Sequence, residues 1–152
     1  MWGPLSALRR RRVAPGVRAW VSLDLPLSSF TNLAARACVL YGVERPTPAM
    51  LRLMEVLVES TTVLKDSVPF LRTHRYADLT EAARTLRQLE KEADKAYRDE
   101  ISRLFGDDSV DAKTVLKLRE VLEDMERAVD HCDHVAANHC CLGNSGSGAP
   151  KK

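Results

Sequence analysis

Two acidic pairs, each spaced by four, are the residues of this sequence that could do chemistry: Glu90 and Asp94 in "EKEAD", and Glu126 and Asp130 in "ERAVD". A spacing of four stacks both carboxylates on one face of an α-helix. Four such groups gathered together repel unless they hold a cation or a proton. Oxygen-only donors suit hard ions such as Mg, Mn, Ca or ferric iron, with Zn less favoured. The bland alternative is a solvated helix flank whose acids pair with Arg87, Lys91 or Arg127.

Everything about the sequence that must position these pairs is helical. "ERPTPAM" cannot continue a helix through Pro46 and Pro48, but Thr47 can cap a new one with Pro48 in its first turn. The pattern predicts long helices over about 48–73, 78–105 and 111–137. Pro69 kinks or ends the first, and Asp78 with Glu81 reads as a capping box opening the second. "GDDS" forms the turn to the third, and a short helix precedes them in "FTNLAARACVLYGV", residues 30–43. Three long helices with short turns make an all-α fold, an antiparallel three-helix bundle.

Helical geometry carries the acidic pairs to one place. Leu79, Ala83, Leu86, Ala93, Tyr97, Ile101 and Leu104 form one apolar stripe, and Leu118, Leu122, Met125, Val129, Cys132 and Ala136 another. Glu90 and Asp94 lie roughly 35° and 75° from the first stripe's centre, and Glu126 and Asp130 roughly 80° and 120° from the second's, in the same rotational sense. Counting from Asp108, Glu90 and Glu126 fall at one level. The four carboxylates are therefore expected to meet in one surface groove.

Composition narrows the partners. The first 23 residues hold five Arg and no acid, so residues 24–152 carry 18 basic against 21 acidic side chains, a net −3. That balance argues against a nucleic-acid partner. No apolar run reaches the ~18 residues of a membrane span. Residues 1–28 read as a disordered or non-homologous N-terminus, and 138–152 as a flexible tail. Cys38, Cys132, Cys140 and Cys141 are too few for a disulfide framework and read as free thiols in a reducing compartment. "HCDHVAANHCC" invites a zinc site, but its side chains spread round one helix instead of converging as four ligands.

The stretch "LRQLEKEADKAYRDEISRLF", followed by "VDAKTVLKLREVLEDMERAVDHCDHVA", resembles the PhoU-like family of phosphate-transport regulators, in the branch that accompanies Pit-type permeases. The resemblance covers residues 30–137, with specific motifs only from 86 to 136. That family consists of two three-helix repeats whose acidic motifs bind metal on the bundle surface. By resemblance, this chain corresponds to the end of the first repeat and the whole of the second, as in a truncated member. The matching positions are Glu90 with Asp94 and Glu126 with Asp130, and the implied cofactor is a divalent or ferric ion (Fe, Mn, Mg or Zn).

What the resemblance implies is a non-enzymatic accessory protein, cytoplasmic or peripheral to the inner membrane, acting on a Pit-type phosphate permease. Two other readings use the same residues: a metal-dependent hydrolase or metal-storage bundle, and an inert fragment. With one repeat missing, apolar surface should lie uncovered and the chain should form homo-oligomers.

Overall fold

The computed structural model describes residues 29–144, with side chains described through residue 138. The expectations for residues 1–28 and 145–152, and for the Cys140 and Cys141 side chains, lie outside the described residues. Four helices and, among the described residues, no strand make up the fold: α1 (residues 29–41), α2 (Pro48–Arg72), α3 (Tyr76–Phe105) and α4 (Ala112–Asn144). Short turns set α2, α3 and α4 up-down-up, and each packs on the other two. The all-α bundle expected from periodicity is what forms.

Local chemistry explains most of the boundaries. Thr47 caps α2 by accepting the Met50 N–H at 3.2 Å, with Pro48 in the first turn. Asp111 caps α4, its carboxylate accepting the Lys113 and Thr114 N–H groups. Gly42 ends α1 with φ of +66°, and the Val43 N–H returns to the Cys38 carbonyl at 2.9 Å. Pro69 withholds the N–H that would bond four residues back, yet α2 runs to Arg72 because the missing bond falls in its last turn.

Two boundaries differ from expectation. The capping box at Asp78 does not form. Helix α3 begins at Tyr76, where the Leu79 N–H closes the first turn onto the Arg75 carbonyl, so Asp78 already lies inside the helix. There it pairs with Arg75 at 2.7 Å, and Glu81 pairs with Arg84. At the other end, α4 continues past 137 to Asn144, because 138–142 contains neither Pro nor Gly to stop it.

The core lies among all four helices. Leu53 and Val56 of α2, Leu86 and Leu104 of α3, and Val121, Leu122, Val129 and Cys132 of α4 are almost wholly inaccessible. Helix α1 adds Ala34 and Ala37, and runs antiparallel to α4: Phe30 stacks near His131, while Tyr41 at the other end donates to Glu120 at 2.7 Å. Lys117 Nζ closes the same end on the Tyr41 carbonyl.

Candidate functional site

The α3–α4 flank holds all four predicted carboxylates. Glu90, Asp94, Glu126 and Asp130 are each half-buried, as flank positions between core and solvent should be. Two contacts between α3 and α4 bracket them. Arg87 reaches Asp133 at 3.2 Å on one side, and on the other the Tyr97 hydroxyl sits beside the Arg119 guanidinium. Both helices are thereby held with their acidic flanks toward the same seam.

The electrostatics show that the four groups share one field. The Glu126 carboxyl is pushed above the usual glutamate range, first by burial and then by the charges of Asp130, Asp94 and Glu90, while Arg127 offsets this only weakly. Asp94 acts on Glu126 more strongly than Glu90 does. Level counting from Asp108 matched Glu90 with Glu126. The Tyr97–Arg119 contact keeps that level, and the Arg87–Asp133 contact reaches one turn along the seam, so Glu90 and Asp94 both flank Glu126.

The carboxylates meet as a field and not as a formed coordination shell. Asp94 turns to Arg98 at 2.9 Å, and Asp130 to the His134 ring at 3.2 Å. Among the described residues no three His, Cys, Asp or Glu side chains stand close enough together to hold one ion. Like charges splay and take whatever cations their own helices offer. Rotation of side chains about a fixed pair of backbones is what convergence on a cation would require. The donor set is mostly carboxylate, with His134 beside it, and its chemistry fits a hard cation.

Of the cations available to neutralise the seam, Arg127 goes to Glu123 and Asp124, and Arg87 to Asp133. Neither pairs with a member of the predicted set. Asp133 is the acidic residue that pattern reading missed. Its side chain is only 7% exposed, on the α4 flank next to Glu126 and Asp130. The signal was present in "ERAVDHCD", where Asp133 follows Asp130 by three, the other helical neighbour spacing.

The remaining chemistry-bearing groups lie elsewhere. Cys132 is in the core; burial pushes its thiol up to about 12, and its Sγ faces the Ala128 carbonyl. Cys132 therefore points into the core, whereas His131 beside it in sequence is only partly buried. An open cleft of about 340 Å³ lies at the α3–α4 turn, lined by Leu104, Phe105, Val115 and Leu116 with Asp107 and Asp108. Its nearest lining residue on α3, Leu104, is ~15 Å along the axis from Asp94, and the cleft forms no part of the seam. No helix among the described residues is long and apolar enough to cross a membrane.

The chain matches no family model, no curated protein and no solved structure.

Proposed function

We propose that this chain is a cation-binding accessory protein of inorganic phosphate transport. The supporting observation is the coupling of Glu126 to Asp130, Asp94 and Glu90 across two helices. A seam of like charges on a well-packed bundle opposes its own stability unless a cation or proton offsets it. The phosphate-transport part of the reading rests on the likeness of the two acidic motifs to the PhoU-like family. In this reading the bundle sits at the cytoplasmic face of the membrane and acts on a Pit-type permease, with metal occupancy of the seam setting its state.

Thermal melts with and without Mg²⁺, Mn²⁺, Fe³⁺ or Zn²⁺ test the cation step. A rise in Tm for the wild type that is lost in Asp130→Asn supports it; a wild-type curve unmoved by all four ions returns the carboxylates to ordinary helix surface. Co-purification with a Pit-type permease from gently solubilised membranes tests the partner, and its absence counts against the transport reading even where cation binding holds.

A further inference from the structure

Exposed apolar residues outside the seam differ in the charges beside them. On α2, Leu51, Met54 and Val58 have exposed charges of both signs nearby, Glu55 and Lys65. On α1, Val39 and Leu40 stand one turn from exposed Arg36. The open cleft at the α3–α4 turn has charges of one sign alone. Buried Leu104 and Val115, with Phe105 and Leu116 at 65% and 59% exposed, make it apolar, and its charged lining residues are Asp107 and Asp108. No cation is among the lining residues. Nearby Arg103 is held by Glu100 through two hydrogen bonds of 2.9 Å and comes only within 4.0 Å of Asp107. Asp108 is exposed and makes no ion pair among the described residues.

We infer that this cleft is the docking site of the chain's own arginine run, Arg9 to Arg12, with Leu8 and Val13 on either side of it. The argument is charge complementarity joined to chain length. The first 23 residues hold five Arg and no acid, opposite in sign to the two carboxylates of the cleft. Guanidinium groups pair with carboxylates through charge-assisted hydrogen bonds, and Leu8 and Val13 supply apolar contact for Phe105 and Leu116. The same cleft on a second copy is a poor occupant, because it would set Asp107 and Asp108 against like charges. The reach is sufficient. Helix α1 begins at residue 29, and its Phe30 lies near His131 of α4. Leu116 is ~22 Å along α4 from His131, and passing round the bundle adds about one or two helix diameters of ~10–12 Å. The chain from Arg12 to Ser29 extends up to ~56 Å. A tethered segment of this length acts at an effective concentration on the order of millimolar, so a cleft of this size needs only weak contacts to be occupied.

Trypsin digestion of the full chain tests the assignment, with intact mass followed over time and circular dichroism to confirm that each variant stays helical. Cleavage after Arg9 to Arg12 is expected to be slow in wild type, because the protease cuts only the undocked segment. It should be roughly fivefold or more faster in Asp107→Asn/Asp108→Asn, which removes the charge, and in Leu116→Ser, which removes an apolar wall. Leu51→Ser, an exposed change on α2, should leave the rate at the wild-type value. A rate unchanged in either cleft variant overturns the proposal and leaves the cleft to a different partner. A Leu51→Ser rate as fast as theirs also overturns it, since the effect would then be one of general stability. Protection that grows with protein concentration overturns docking within one chain and gives the arginine run to the cleft of a second copy. None of these outcomes depends on cation binding at the α3–α4 seam.

Discussion

Arg87 on α3 lies 3.2 Å from the carboxylate of Asp133 on α4, pairing a side chain that is 60% exposed with one that is 7% exposed. A buried carboxylate needs a partner more than an exposed guanidinium does, so the contact is asymmetric. Arg87→Ala leaves Asp133 buried and unpaired and should cost about 1–3 kcal/mol, whereas Asp133→Asn, which removes the charge, should cost less. Chemical denaturation of the two variants and the double variant checks this. Equal losses for the two single variants would mean that the pair acts as an ordinary surface contact.

Glu126 should make stability depend on pH in an unusual direction for a carboxylate. Its folded-state pKa is raised, so the native state holds this proton more tightly than the unfolded chain does. The contribution is fully present below the ordinary glutamate range and is lost as pH rises through the raised value. Glu126→Gln should therefore match wild type at low pH and exceed it at neutral pH, by about 0.2–0.5 kcal/mol, the size of one like-charge contact on a helix. Melting temperatures of both proteins from acid to neutral pH decide the sign.

Asp111 should show the opposite dependence. Hydrogen bonds from Thr114, side chain and backbone, hold its carboxyl below the usual aspartate range. Its stabilisation is present above the unfolded value and disappears as pH falls through the lowered one. Asp111→Ala should lower Tm at neutral pH, and the gap to wild type should close on acidification. Thr47→Ala removes the corresponding cap of α2, which does not titrate, and should cost about 1 kcal/mol at every pH.

His74 terminates α2 in the left-handed region, with φ of +54°. The Arg75 N–H closes that end on the Phe70 carbonyl at 3.0 Å. Glycine adopts this conformation without a Cβ penalty. His74→Gly should stabilise the fold by about 0.5–1 kcal/mol, less whatever the exposed contact of the His74 ring with the Tyr76 hydroxyl contributes. A denaturation midpoint that falls would show that this ring contact outweighs the backbone strain.

Cys132 should resist alkylation in the native state, since burial both blocks access and holds its thiol protonated. Mass mapping after a short alkylation should find Cys132 modified only once denaturant unfolds the bundle. Native labelling at that position would mean that α4 opens locally.

The sequence by itself determined the helices and the side on which each acidic pair lies. Apolar spacing is a property of single helices, and Thr47, Pro48, Gly42 and Asp111 punctuate the chain through bonds that reach no further than a few residues. It could not determine which charges meet. Asp78 and Glu81 had the spacing of a capping box, but Arg75 and Arg84 competed for them once α3 began two residues earlier. Arg87 stood on the same helix as Glu90, yet it crosses the seam to Asp133 because burial makes that carboxylate the more demanding partner. Which charges meet between α3 and α4 was likewise decided by tertiary packing: Tyr97 meets Arg119 at the level counted from the turn, while Arg87 reaches one turn along the seam to Asp133.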